Sequence, residues 1–303
     1  MKFKKFINRK IWNINDKLFE FWESLGFHIT PKHFYQPIPD ISSLKNDLWQ
    51  KNSELVGIDM NEEYQLNLLS QLSSNFKEEY DKLPKHRTLN PFQYFLTNSS
   101  FNPADGKFYY SMIRFFKPSK IIEIGAGFST LLAAQAIRKN EETYNSQCEL
   151  IAIEPYPRDF LKIGFPGLKR LIQKKVQEVP ISFFNNLNEN DFLFIDSSHI
   201  LTIGSDVYYE FLEILPRLKK GVIIHFHDIF LPAEYSKKVI LKDHHFFNEQ
   251  YLLQAFLAFN DSFKILWAGS YMYLKHKKTL ERELSLLMGG RKYPKSFWIQ
   301  KIK

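Results

Sequence analysis

From Pro103 to the C-terminus, apolar runs of strand length alternate with helical or loop signals. The runs are KIIEI (120–124), LIAIE (150–154), KRLIQ (169–173), DFLFID (191–196) and GVIIHF (221–226). A strand that is apolar on both faces needs cover on both faces, so this alternation predicts a parallel sheet between two helical layers. ADGKFYYSMIRFF reads as a helix stopped by Pro118, and GSDVYYEFLEILPRLKK as the helix before GVIIHF. NEQYLLQAFLAFN reads as a further helix, FKILWA as a strand, and SFWIQ as the last strand.

The segment before Pro103 has another character. Phe3, Ile7, Ile11, Ile14, Leu18, Phe21 and Leu25 follow the three- and four-residue spacing of an amphipathic helix with Lys and Arg on its other face. HITPKHFYQPIPD holds three prolines in thirteen residues, which favours an extended, ordered segment over a helix. A polar helix over 61–80 and a loop through Pro84, Pro91 and Pro103 complete a region of 1–103, ahead of the α/β part at 104–303. A length of 303 residues and a 44% apolar share suffice for two domains' worth of core.

The net charge of +8 invites a nucleic-acid reading, but its distribution argues against one. Residues 1–10 hold five basic residues and no acidic one, and so do residues 291–303. Removing those ten from 41 leaves 31 basic against 33 acidic residues, so the body of the chain is at −2. The N-terminal helix could instead rest on an anionic membrane surface, or simply pack on its own domain. No apolar run reaches the length that spans a bilayer, and MKFKKFINRK lacks a signal peptide's apolar stretch. With Cys148 the single cysteine, a cytoplasmic protein is expected.

EIGAGFST sits where KIIEI ends and the helix LLAAQAI begins, the context in which a glycine turn becomes a ligand loop. Gly125 and Gly127 permit a tight turn and close backbone approach. Thr130 stands where a dinucleotide fingerprint has its third glycine, and Glu123 lies two residues before the first. A carboxylate there repels a pyrophosphate but suits a cation such as S-adenosylmethionine, with its sulfonium and ammonium. Glu154, at the end of the next strand, can grip two ribose hydroxyls.

These residues resemble the class I S-adenosylmethionine-dependent methyltransferases over about 104–303. EIGAGFST looks like their first motif and LIAIEP like their second. The resemblance implies a Rossmann-like, mostly parallel α/β sheet with its last strand antiparallel and inserted between two others. It also implies a donor site of Glu123, Gly125, Ala126, Gly127, Ser129 and Glu154, with Asp196 beside it and Gln177 near the adenine. HFYQPIPD, FIDSSH, GSDVYYEFLEILPRLKKGV, HFHDIFLP and NEQYLLQAF are similar to segments of a bacterial subgroup without a general acceptor. That similarity reaches back into the N-terminal region, so residues 28–40 are expected to help cover the acceptor pocket.

FIDSSHI and HFHDIF end the fourth and fifth strands on the ligand edge of such a sheet. Methyl transfer needs donor and acceptor aligned and, for a hydroxyl, its proton removed. A histidine suits that role near neutral pH, which makes His199 and His227 the candidates beside Asp196. There is also a metal reading. Where catechol-type O-methyltransferases hold magnesium with three oxygen ligands, this chain has Asp196, His227 and Asp228. The imidazole tilts such a site toward manganese, iron or zinc. The alternative is that Asp196 binds ligand or caps a turn while His227 and Asp228 hydrogen-bond each other.

His225 is expected to be a buried, satisfied core histidine, and His244 and His245 surface or lid residues. Tyr235, Glu249, Gln250 and Tyr251 line either the acceptor pocket or a core helix. Glu210 and Glu213 are expected to be solvated, with Arg217 capping their helix. No GxSxG, P-loop lysine or HExxH is present, and Cys148 lacks a neighbouring base. The expected activity is methyl transfer to oxygen of a small molecule or glycan, with nitrogen the other acceptor atom. A metal-dependent enzyme of another reaction type on the same fold, and a non-catalytic S-adenosylmethionine-binding protein, remain the rivals.

Overall fold

The structure is a computed structural model and describes residues 18–30, 32, 33, 35–286 and 293–303. The chain divides into two compact units, residues 1–50 with 236–246, and residues 51–235 with 247–303. The smaller unit contains α1 (Phe19–Ser24), short 3-10 turns at Ile41–Ser43 and Asn46–Trp49, and a wide helical turn at Lys238–Lys242. Asp40 caps the first of these turns by accepting from Ser42 N at 3.0 Å. Lys237 donates to Asn46 Oδ1 at 2.9 Å and lies over the Trp49 ring. The helix expected from Phe3 to Leu25 falls mostly outside the described residues; only α1 of it is described.

The larger unit holds a seven-stranded sheet of β1 (Lys120–Ile124), β2 (Glu149–Ile153), β3 (Leu168–Ile172), β4 (Phe192–Ile195), β5 (Ile223–Phe226), β6 (Phe263–Ala268) and β7 (Phe297–Lys301). Its order is β3-β2-β1-β4-β5-β7-β6. The first five strands pair in parallel, and β7 runs antiparallel between β5 and β6, the insertion expected of SFWIQ. Each predicted strand forms within two residues of its expected bounds. β4 and β5 are buried at every position because helices cover both faces.

The helices of this unit are α2 (Glu62–Tyr80), α3 (Pro103–Phe116), α4 (Phe128–Tyr144), α5 (Asp159–Ile163), α6 (Ile181–Phe184), α7 (Asp206–Tyr209), α8 (Glu249–Leu257) and α9 (Gly269–Glu283). Asn102 caps α3 through Ala104 N and Asp105 N, with Pro103 at the first position, where no amide hydrogen is needed. Arg114 of α3 forks onto Glu79 of α2 at 2.8 and 2.9 Å. That pair and the buried stripe Leu68, Leu72 and Phe76 fix α2 within the sheet's own unit. Compactness therefore divides the chain near residue 50, whereas composition changes at 103. α9 is an addition to the expected elements. Among the described residues no helix is long and apolar enough to cross a membrane.

GSDVYYEFLEILPRLKK departs from the single helix expected of it. It begins as α7, widens into a π turn at Glu210–Ile214 and closes as a 3-10 turn at Leu215–Arg217. Pro216, which lacks an amide hydrogen, accompanies the change. Glu210 shares the buried face of this segment with Val207, Phe211, Ile214 and Leu215, so the side chain expected in solvent is fully buried. Arg217 does cap the segment, donating to Glu213 O at 2.7 Å.

Candidate active site

The strand register places four chain ends on one sheet edge. Gly125 N donates to Ile153 O at 3.0 Å, Asp196 N to Ile124 O at 2.8 Å, and His227 N to Ile195 O at 3.0 Å. Glu154 N likewise donates to Ile172 O at 3.1 Å. The residues following β1, β2, β4 and β5 thus lie side by side at the carboxyl ends of parallel strands, where open α/β sheets bind ligands.

The donor half is a loop held by main chain. Gly125 has φ +79, and a Cβ on it would sit 1.9 Å from the Asp196 carbonyl oxygen, so the turn after β1 packs directly on the end of β4. Gly127 is different, because an added Cβ meets nothing within 4 Å. Its N–H donates to Thr130 Oγ1 at 3.0 Å, which starts α4. Glu154 accepts from Ala126 N at 3.2 Å and Tyr156 N at 2.8 Å, so its carboxylate is aimed before any ligand arrives. Ser129 is buried in the first turn of α4. Gln177, in the turn after β3, donates to Gly204 O at 3.0 Å.

Glu123 departs from the sequence reading. It has no exposed surface, and its Oε1 accepts from Tyr109 Oη at 3.1 Å beneath the loop. Burial pushes its carboxyl up to about 8 against the opposing hydrogen bonds of Thr130 and Tyr109. The side chain therefore lies beneath the loop with its other oxygen, Oε2, buried and without a hydrogen-bond partner.

On the acceptor side, His199 lies in the loop after β4 with φ +61, an uncommon conformation for a residue with a β-carbon. Its Nδ1–H donates to Glu249 Oε2 at 2.7 Å. Nε2 faces Asp196 Oδ1 at 3.4 Å and Asp228 Oδ2 at 3.8 Å. Burial opposes its charge, but hydrogen bonds to Asp196 and Glu249 outweigh burial and hold the imidazole well above the ordinary histidine value. Burial likewise opposes the charge of Asp196 and Asp228. For Asp196, His227 and His199 still keep the carboxyl below its usual range; for Asp228, His227 and Lys295 do so. Lys295 Nζ donates to Asp228 Oδ1 at 2.8 Å.

A family profile described as a methyltransferase domain matches residues 122–229, the stretch that carries the glycine loop, Glu154, Asp196, His199, His227 and Asp228. The chain belongs to the class I S-adenosylmethionine-dependent methyltransferases. An uncharacterized protein of Archaeoglobus fulgidus is 36% identical to it over 174 residues, 55% of this chain and 76% of the relative. Among solved structures, an O-methyltransferase from Bacillus cereus in complex with SAH has 14% identity and a TM-score of 0.39, covering 79% of this chain and 90% of its own. A Podospora anserina methyltransferase bound to SAH has 15% identity and a TM-score of 0.41, covering 78% and 88%.

S-adenosylmethionine is the methyl donor of this methyltransferase, and the donor half fits it. The open face of Gly127 and the pre-aimed Glu154 leave room and a hydroxyl acceptor where the ligand has to lie. The metal reading fares differently. Among the described residues no group of three or more His, Cys, Asp or Glu is arranged to hold an ion. Lys295 occupies one oxygen of Asp228, and His227 turns its Nε2 toward Asp105 Oδ2 at 3.8 Å. Asp196, His227 and Asp228 are thus neighbours without forming a donor set. Nor do His227 and Asp228 hydrogen-bond each other, since both ring nitrogens of His227 are buried without a hydrogen-bond partner.

Other side chains complete the accounting for the methyltransferase. His225 is buried as expected, but it is held by stacking on Phe194 at 3.8 Å and against Trp298, without hydrogen bonds to its ring. Burial keeps it well below the ordinary histidine value. Tyr235 and Gln250 are buried in structural bonds, Gln250 N to Tyr235 Oη at 3.1 Å and Phe230 N to Gln250 Oε1 at 3.0 Å. Tyr251 donates to Glu234 at 2.6 Å. His244 and His245 are exposed, in the smaller unit. Burial raises the Cys148 thiol, in keeping with an inert residue. Sequence reasoning missed Asp105 and Lys295. Asp105 is fully buried and accepts from Ser296 Oγ at 2.6 Å, Ser296 N at 3.0 Å and Lys295 N at 3.0 Å, which pins the segment leading into β7. Neither residue stands in a motif, and 190 positions separate them in the chain.

Proposed function

We propose that this methyltransferase methylates a hydroxyl oxygen on a small molecule or glycan, with His199 as the general base. The observation that carries the reading is the ring of His199, with Nδ1 committed to Glu249 and Nε2 directed at the carboxyl ends of β4 and β5. When bound, S-adenosylmethionine supplies a methyl group on a sulfonium. Glu154 binds the ribose hydroxyls, and the Gly125–Gly127 turn shapes the floor of the donor site. His199, once deprotonated at Nε2, would take the proton of the acceptor hydroxyl as its oxygen received the methyl group, with the donor leaving as the neutral thioether S-adenosylhomocysteine. The bonds to Asp196 and Glu249 that raise its pKa make it a stronger base, whose free form grows as pH rises. The reading needs no metal ion and places the reaction in the cytoplasm.

The test is incubation of the enzyme and methyl-labelled donor with a panel of phenols, sugars, glycans and amines, followed by mass spectrometry. Transfer of one methyl to oxygen, lost in His199→Ala, supports the reading. Transfer to amines alone, or full activity in His199→Ala, overturns it.

A further inference from the structure

We propose that the first turn of α8 positions His199, with Asn248 and Glu249 together holding a strained loop so that Nε2, not Nδ1, is the ring atom offered to the acceptor. The inference rests on the reading of His199 as the base and adds the device that orients it.

The loop after β4 is gripped from two sides. From α8, the carbonyl oxygen of His199 accepts from both Asn248 N at 3.1 Å and Glu249 N at 3.2 Å. These are amides at a helix start, which have no partner within the helix. The Asn248 side chain adds a reciprocal pair with Leu201, accepting from its N–H at 2.6 Å and donating to its carbonyl at 3.4 Å. Phe247 sets its ring 5.0 Å from the imidazole. From the segment of α7, Asp206 accepts from Ser198 N at 2.9 Å and Ser198 Oγ at 2.6 Å, and Glu210 accepts from Ser197 Oγ at 3.1 Å. The buried Glu210 thus becomes part of the same grip.

The left-handed conformation of His199 persists only where surrounding structure over-determines it. Here the bonds that do so converge on His199 and the residues beside it. Glu249 is fully buried, and its bond to Nδ1 is its one hydrogen bond to a ring. A carboxylate that accepts from one ring nitrogen selects which nitrogen is left to work. Glu249 acts through His199, so it is a positioning residue.

The test uses full-length protein carrying 15N-histidine, with and without S-adenosylhomocysteine, and compares wild type with Glu249→Gln, Glu249→Leu and His199→Asn. Wild type should show a deshielded, slowly exchanging Nδ1–H resonance that is missing from His199→Asn. Glu249→Gln should keep the resonance but move it upfield, because a neutral amide oxygen replaces the carboxylate. Glu249→Leu should abolish it while donor affinity by calorimetry stays within about three-fold of wild type. Once an acceptor is in hand, Glu249→Leu should lower kcat by roughly 10- to 100-fold with KM little changed, as expected for a lost orienting group. An unmoved resonance in Glu249→Gln, which keeps the shape of the side chain, overturns the proposal even if Glu249→Leu does not fold. So does a loss of donor affinity that parallels loss of the resonance. Failure of the wild type to bind S-adenosylhomocysteine would instead strike the methyltransferase assignment, which the resonance does not test.

Discussion

The two halves of the site are built on opposite plans. The donor half centres on consecutive residues, a strand end, a glycine turn and a helix start, to which the end of the next strand adds Glu154, and its bonds run largely to main-chain atoms. The acceptor half is assembled from residues scattered between Asp105 and Ser296, and its contacts are bonds between side chains of five separate segments. Local main-chain geometry is written in a short motif, whereas a side-chain cluster exists only once distant segments have folded together. The donor half should therefore break through backbone fit, and the acceptor half through the loss of single partners.

The largest effect is expected at Gly125. Gly125→Ala combines a left-handed φ with a contact of 1.9 Å to the Asp196 carbonyl, and destabilisation on the order of 4 kcal/mol or more should follow. Gly127→Ala should leave the unfolding midpoint unchanged and weaken only the donor, since nothing lies within 4 Å of the added carbon. Equal melting temperatures for the two variants would show that the turn is not packed on β4. Next comes His199→Ala, which should lower methyl transfer by roughly 100- to 10,000-fold while leaving calorimetric donor affinity intact. Parallel loss of both would join the two halves that the comparison separates.

Glu123 tests the ground beneath the donor loop. Its carboxyl is raised from 4.5 to about 8 in the folded chain, so the folded state keeps a proton that the unfolded chain releases. Stability from this group is complete below pH 4.5 and is lost as pH rises toward 8. The loss is on the order of 3 kcal/mol between pH 5 and 8. Glu123→Gln, neutral throughout, should flatten that part of the profile in denaturant titrations; an unchanged slope would place the proton elsewhere. Glu154→Ala should weaken donor binding by roughly 10- to 100-fold, the worth of hydrogen bonds to a charged group. The smallest effect is expected at Lys295, a third exposed beside Asp228. Lys295→Met should cost about 1 kcal/mol or less in stability.

Much of the frame was legible in the sequence because each strand is locally apolar and each helix locally periodic. The insertion of SFWIQ between two strands, by contrast, followed from the family resemblance. Site residues were legible only in part. Gly125, Glu154, Asp196 and His199 announced themselves at strand ends. The burial of Glu123 and Glu210 did not, because an acidic residue at a strand end or on a helix reads as solvated until partners such as Tyr109 or Ser197 enclose it. The surroundings of the three metal candidates were not legible for a similar reason. Spacing brought Asp196, His227 and Asp228 to one edge, but Lys295 and Asp105, from far along the chain, stand beside the groups that would have faced an ion.

The sequence by itself determined the parallel sheet, the glycine turn and the edge on which chemistry has to occur, since these depend on hydrophobic pattern and on backbone freedom at two glycines. The tertiary structure decided the charges on that edge and the direction of each ring. Whether a carboxyl is ionised, and which carboxylate each nitrogen of His199 faces, depends on burial and on partners such as Glu249, fifty residues away in the chain and 2.7 Å away in space.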